Sequence, residues 1–110
     1  MGERPLKKME FMKVHTESVQ FKADQKLISF IEKKLAKMEQ YFDRIIEARV
    51  ILKLENSGQV KDKIAEVSLS VPGDTIFVKE INKTFEASID GAVGALKRQL
   101  IKYKEKLQEH

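Results

Sequence analysis

Two stretches of the chain carry apolar residues at the spacing of an amphipathic helix. The first follows Asp24, a good N-cap because its carboxylate can accept hydrogen bonds from free backbone N–H groups. The second follows Thr84, which can cap a helix in the same way. We therefore expect one helix from Asp24 to about Tyr41–Asp43 and a longer one after Thr84. Their apolar stripes are Leu27, Ile31, Leu35, Met38 and Phe42 in the first helix, and Phe85, Ile89, Val93, Leu96, Leu100, Tyr103 and Leu107 in the second.

Four shorter segments have the alternation or the β-branched composition of strands. The cluster Asn56-Ser57-Gly58 predicts a turn after the second of them. Pro72-Gly73-Asp74 predicts a tight hairpin after the third, because proline presets one turn position and glycine accepts positive φ. The last three strands should therefore form an antiparallel meander. The predicted strands are residues 11–16, before the first helix, and residues 48–54, 64–71 and 75–79, between the helices.

The order β-α-β-β-β-α predicts an α+β fold, a two-layer sandwich with two helices on one face of a four-stranded sheet. This layout is similar to that of the double-stranded-RNA-binding domain. At 110 residues the chain has the length of one domain, and we assign residues 12–110 to it. Residues 1–11 show no period. We interpret them as an N-terminal extension or a remnant of expression cloning without ordered structure, with Met9 and Met12 as alternative starts to Met1.

The sequence lacks the residues that several classes of function require. There is no cysteine and there are only two histidines, so we expect no thiol chemistry, no metal site and no cofactor. The chain has no nucleophile elbow and no Walker loop, which argues against an enzyme with a small-molecule substrate. No apolar run approaches the roughly 18 residues of a membrane span, and no signal peptide is evident. We expect a cytoplasmic protein without a membrane partner.

The placement of positive charge indicates a polyanionic partner. The net charge is +4, from 21 basic and 17 acidic residues, which alone is a weak signal. In the second helix, however, one set of basic residues recurs every four positions and another recurs after seven, so they form two ridges beside the apolar stripe. Solvated helix faces look similar, but two basic helices on one side of a sheet suit an RNA backbone better. The candidate RNA contacts are Lys34, Lys37, Lys97, Arg98, Lys102, Lys104 and Lys106, with Lys26 and Lys33 as further candidates.

Two features of the second helix need a separate interpretation. Gly91-Ala92-Val93-Gly94 matches the GxxG loop of KH domains. It lies inside an uninterrupted helical period, so we expect close packing at these glycines and not a nucleotide clamp. Asp90 is expected to be solvated or to pair on the helix surface with Arg98 or Lys97.

Two blocks of the sequence resemble a known family. Lys37–Ile45, which reads KMEQYFDRI, is similar to the end of the first helix in hibernation promoting factors, the family of ribosome-associated inhibitor A and sigma-54 modulation proteins. Ser88–Gly91 and the basic segment Lys97–Leu107 are similar to the final helix of that family. The resemblance covers residues 12 to 110. Because the chain ends straight after this helix, it resembles a short form of the family.

The resemblance implies a ribosome hibernation factor. Such a factor binds 16S rRNA of the small ribosomal subunit in the channel for messenger RNA and for A- and P-site transfer RNA. It blocks translation by steric exclusion and stabilises inactive whole ribosomes, in some cases with a ribosome modulation factor as a further partner. The family's basic positions correspond to Lys34, Lys37, Arg98, Lys102, Lys104 and Lys106.

Two alternatives remain open at the level of sequence. One is a protein-interaction module, such as a sigma-factor modulator, that docks a partner at Ile81–Phe85 or at an open sheet edge. The other is a general binder of double-stranded RNA.

Overall fold

The computed structural model describes residues 12–57 and 60–108, so the predicted extension at residues 1–11 and Gly58 of the predicted turn lie outside them. The predicted order of elements and the α+β sandwich are confirmed. The elements are β1 (Lys13–Ser18), α1 (Gln25–Ala36), a 3₁₀ helix (Lys37–Gln40), β2 (Glu47–Ser57), β3 (Val60–Val71), β4 (Asp74–Asn82) and α2 (Phe85–Leu107).

The four strands form one sheet in the order β1-β2-β3-β4. β1 pairs with β2 in parallel, whereas β2, β3 and β4 form the predicted antiparallel meander. β2 is longer than expected, because Asn56 and Ser57, which we assigned to a turn, still pair with β3. Gly73 adopts a φ of +79° in the β3–β4 hairpin, the conformation for which glycine was expected there.

Both helices begin at the predicted caps. The Asp24 carboxylate accepts from the Leu27 N–H at 2.8 Å, and the Thr84 hydroxyl accepts from the Ala87 N–H at 3.0 Å. The first helix differs from the prediction at its other end, because the α-helix stops at Ala36 and a 3₁₀ helix continues to Gln40. The chain then turns into β2 with Phe42 still buried.

The core lies between the helices and one face of the sheet. Alternate residues of β2, β3 and β4 stand in register across this face, as in the row Val50, Val67 and Val78. The apolar stripes predicted for the two helices pack on these strand residues. Leu107 is the one exception among the stripe residues, because it is 41% exposed. Tyr103 already reaches the β3–β4 hairpin, where its hydroxyl donates to the Pro72 carbonyl at 2.6 Å. Leu107, one turn further along α2, therefore extends past the end of the sheet.

The other face of the sheet carries no helix in the described part of the chain. On this face an ion pair between Lys53 and Glu66 links β2 to β3, and Arg49 pairs with Glu47 along β2. Phe77 is nevertheless 53% exposed and Ile81 48% exposed on β4, the strand at one edge of the sheet. Neither helix in the described residues has an apolar stretch sufficient to span a lipid bilayer.

Candidate nucleic-acid interface

The basic residues of α2 lie on two flanks of the helix that face different neighbours. Lys97 and Lys104 form what we call the α1 flank. The Lys97 Nζ is 5.1 Å from the ring centroid of Tyr41, which follows the 3₁₀ helix, and Lys104 lines a cavity with Arg44. The β4 flank consists of Arg98, Lys102 and Lys106, and the last two line a cavity of about 370 Å³ with residues at the start of β4.

Lys34 of α1 reaches across to α2. Its Nζ lies 3.0 Å from Oδ1 of Asp90 and 5.4 Å from the ring centroid of Phe30. The expectation that Asp90 would pair with Lys97 or Arg98, if it paired at all, is therefore wrong. Lys97 is seven residues further on, about 10 Å along the helix axis, and Arg98 lies on the other flank. Neither residue is placed to meet a carboxylate that faces α1.

The remaining candidates on the first helix are exposed. Lys26 and Lys33 lie on α1 and Lys37 on the 3₁₀ helix, and all three have solvent-exposed side chains. None of them makes an ion pair within residues 12–57 and 60–108. The basic stripe of the first helix thus continues through the change from α to 3₁₀ geometry.

Sequence reasoning overlooked one basic residue near this surface. Arg44 follows the 3₁₀ helix, is exposed, and places its Cζ 5.3 Å from the ring centroid of Phe42. Phe42 in turn meets Tyr103 edge to face, with ring centroids 5.2 Å apart. The available signal was the position of Arg44 two residues after Phe42, the last residue of the first helix's apolar stripe.

The two glycines of the GxxG match play different roles. Both lie inside the continuous helix α2, so they do not form a KH loop. A Cβ on Gly91 would lie 2.9 Å from Oε1 of Glu80 on β4, which confirms the expected close packing at this position. A Cβ on Gly94 would meet only the Arg98 side chain, at an ordinary contact distance of 3.8 Å. The expectation of close packing is therefore wrong for Gly94.

Chemically, these side chains suit the binding of anions. Among the described residues, the Lys34–Asp90 pair is the one salt bridge of the helix layer, and no group of three potential metal ligands occurs. Lysine ammonium groups act as point charges for phosphate oxygens. The cations of both α2 flanks lack a carboxylate partner within this part of the chain. The fold and this surface define a class of protein, a small α+β domain with a basic helix layer.

The family is defined by comparison with known proteins. Residues 14–108 match the family model described as Sigma 54 modulation protein / S30EA ribosomal protein. The chain therefore belongs to this family, and the resemblance recognised in the sequence is confirmed.

Curated relatives have similar lengths. The ribosome hibernation promoting factor of Escherichia coli strain K12 is 40% identical over 84 residues, which cover 76% of this chain and 84% of that protein. The protein of the same name from Pseudomonas putida is 33% identical over 97 residues, covering 88% of this chain and 91% of that protein.

Solved structures share the fold. The N-terminal domain of Thermus thermophilus Protein Y superposes with a TM-score of 0.72 at 28% identity, covering 84% of this chain and 97% of that one. A ribosomal subunit interface protein from Coxiella burnetii gives a TM-score of 0.76 at 23% identity, covering 86% and 99%. The second likeness concerns the fold alone.

Proposed function

We propose that this protein is a cytoplasmic ribosome hibernation factor. It binds 16S rRNA of the small ribosomal subunit in the channel for messenger RNA and for A- and P-site transfer RNA. It blocks translation there and stabilises inactive whole ribosomes, with a ribosome modulation factor as a candidate further partner. Relatives that are 33% and 40% identical carry the name ribosome hibernation promoting factor, which supports this role.

The observation that carries the proposal is the basic helix layer. Exposed lysines on α1 and the 3₁₀ helix, and the five basic residues on the two flanks of α2, stand on the same side of the sheet. Neutralised phosphates release counterions when they meet such cations, so affinity falls steeply with salt. Steric exclusion by a bound domain needs no catalytic residue. The proposed contacts are Lys34, Lys37, Lys97, Arg98, Lys102, Lys104 and Lys106, together with Lys26 and Lys33.

Charge reversal on the β4 flank tests the proposal. The variant Arg98→Glu/Lys102→Glu/Lys106→Glu should co-sediment with small ribosomal subunits at least about a hundredfold more weakly at near-physiological salt. It should also lose inhibition of translation in vitro. All three side chains are exposed, so circular dichroism and the unfolding midpoint should show an intact fold.

A matched control keeps the same change of net charge. Lys13→Glu/Arg49→Glu/Lys79→Glu places three reversals on the exposed sheet face, away from the helices. This control should retain most of the binding. Normal binding and inhibition by the β4-flank variant would refute the proposal, and equal losses in the two variants would reduce it to an effect of net charge.

The second candidate function is a protein-interaction module, favoured by the exposed Phe77 and Ile81 on the edge strand β4. A partner bound there should be captured equally well after ribonuclease treatment and at high salt. It should be lost in Phe77→Ser/Ile81→Ser and retained in the β4-flank variant. A general binder of double-stranded RNA would instead bind arbitrary duplexes as tightly as ribosomes.

A further inference from the structure

A cavity lies at one end of the groove between the helices. It is an open cleft with a volume of about 380 Å³, lined by the segment 39–44 on one side and by the last turns of α2 on the other. Six consecutive residues of the block KMEQYFDRI line it. The cavity adjoins the α1 flank, since Lys104 belongs to its wall and Lys97 rests on Tyr41, another wall residue.

Part of the wall is a flat guanidinium with a buried aromatic ring behind it. The Phe42 ring is 6% exposed and fixed edge to face against Tyr103. The Arg44 guanidinium lies over this ring, and Leu107 contributes an aliphatic side chain that is 41% exposed. Because little of the Phe42 ring is exposed, the planar guanidinium of Arg44 is the group in this wall on which a nucleobase can stack.

The charges of the wall indicate whether the cavity suits a phosphate or a nucleobase as its ligand. The carboxylates of Glu39 and Asp43 balance the cations of Arg44 and Lys104, so this cavity lacks the positive excess that the outer flanks of α2 offer to a phosphate. A neutral nucleobase, with hydrogen-bond donors and acceptors on its edge, suits such a wall better. The amides of Gln40 and Gln108 add further donors and acceptors.

The two carboxylates are not equivalent. One oxygen of Glu39 already accepts a hydrogen bond from the Met12 N–H at 3.0 Å. Asp43 is exposed, and its carboxylate has no hydrogen-bond or ion-pair partner within residues 12–57 and 60–108. It is therefore the acceptor available to a ligand, and its two oxygens match a base edge with two adjacent N–H donors.

We propose that this cavity binds an unpaired guanine of the RNA, with the Asp43 carboxylate accepting from the guanine N1–H and the exocyclic amine. The base stacks beside the Arg44–Phe42 pair while the neighbouring phosphates meet the α1 flank. The inference rests on the proposed function, and it adds a sequence-sensitive contact to an interface otherwise built for the sugar–phosphate backbone.

A nucleotide titration tests the cavity directly. Guanosine monophosphate should shift the backbone amide resonances of Tyr41–Arg44 and of Lys104–Gln108. Inosine monophosphate lacks the exocyclic amine, so its half-saturation should need about three to ten times more ligand. Ribose 5-phosphate carries the phosphate without a base, so it should leave the Tyr41–Arg44 resonances in place and shift at most that of Lys104, which belongs to the α1 flank. Equal shifts with inosine monophosphate or with ribose 5-phosphate would overturn the assignment.

A substitution at Asp43 should change the affinity for small ribosomal subunits in opposite directions, depending on whether this cavity contacts a phosphate or a guanine. Asp43→Asn removes a negative charge, so a phosphate surface would bind small ribosomal subunits more tightly, whereas a guanine pocket should bind about three to ten times more weakly. Glu105→Gln makes the same charge change on α2 outside this cavity and should bind as tightly as the unchanged protein or more tightly.

The outcomes separate this inference from the proposed function. If Asp43→Asn binds like Glu105→Gln while the β4-flank charge reversal still abolishes binding, the guanine pocket is wrong and the hibernation role stands. If the charge-reversed variant binds normally, the hibernation role is lost, and the nucleotide titration still decides whether the cavity takes guanine.

Discussion

The two sides of α2 are attached to the rest of the molecule by different kinds of interaction. Toward the sheet, the Ser88 hydroxyl donates to the Lys63 carbonyl at 2.6 Å, and Gly91 permits close approach to Glu80. Toward α1, the helix is held at its surface by the Lys34–Asp90 ion pair and by Lys97 over the Tyr41 ring. Both sides share the apolar core, but the sheet side adds a buried hydrogen bond, whereas the α1 side adds an ion pair and a cation–ring contact at the surface.

This difference bears on how the helix layer meets RNA. Ser88 is fully buried, so added salt does not screen its bond. The Lys34–Asp90 pair is partly exposed, and both salt and a phosphate compete for the Lys34 ammonium group. The β4 flank therefore offers cations on a rigid support, whereas the groove beside the α1 flank can exchange an internal ion pair for contacts with a ligand.

The largest effect should come from neutralising each flank in turn and measuring how binding to small ribosomal subunits depends on salt. Each lost phosphate contact lowers the slope of log affinity against log salt by about 1. Arg98→Ala/Lys102→Ala/Lys106→Ala should therefore lower the slope by about 3. Lys97→Ala/Lys104→Ala should lower it by at most about 2, because Lys97 is already engaged with Tyr41.

The combined variant checks whether the flanks act independently. They lie on opposite sides of one helix, so the two reductions in slope should add. An unchanged slope in the triple variant would show that RNA contacts the groove alone. A combined slope no lower than that of either variant would show that the two flanks do not bind separate phosphates.

Periodicity and capping residues were enough to predict the fold. The stripe behind Asp24 and the stripe behind Thr84 each specify one buried helix face, and alternation specifies which residues of β3 face the helices. The same 3.6-residue period placed the basic residues of α2 on two flanks. These features depend on local spacing, so a single sequence contains them.

Features that depend on the relative placement of elements were not predictable. The partner of Asp90 lies on another helix, and spacing within α2 does not encode the offset between helices. The exposure of Leu107 depends on where the sheet ends beneath α2. The cavity beside Arg44 forms only when the segment after the 3₁₀ helix meets the last turns of α2, so its residues carried no signal as a set.

Alanine substitutions at the two glycines of α2 should have a smaller effect, on the free energy of unfolding. They compare Gly91, which packs against β4, with Gly94, which does not. Gly94→Ala should raise the free energy of unfolding by about 1 kcal/mol, because alanine favours the helix and its Cβ meets only Arg98 at 3.8 Å. The melting temperature should rise by about 4 °C. Gly91→Ala should gain less or lose stability, since Glu80 must move to admit the Cβ.

Thermal and denaturant unfolding followed by circular dichroism measure both glycine variants. The double substitution Gly91→Ala/Glu80→Ala provides the control, because removing the Glu80 side chain frees the space that the new Cβ needs. Gly91→Ala should then be more favourable in this background than in the unchanged protein. An equal gain at Gly91 and Gly94 in the unchanged protein would show that the contact with β4 is not tight.

The smallest effect on stability should come from Asp90→Asn. The side chains of Lys34 and Asp90 are 33% and 55% exposed, and pairs of this kind contribute about 0.5 kcal/mol. Stability should fall by about that amount at low salt and hardly at all at about 1 M salt, where charges are screened within roughly 3 Å. Binding to small ribosomal subunits should become several-fold tighter, because Lys34 loses its internal partner.

A double-mutant cycle with Lys34→Ala isolates the pair from the separate consequences of each substitution. Its coupling energy should vanish at high salt, and the gain in binding from Asp90→Asn should disappear in the Lys34→Ala background. Persistence of that gain would mean that Asp90 acts through its charge alone. A coupling energy that survives high salt would show that this side of α2 is held as rigidly as the side that packs on β4.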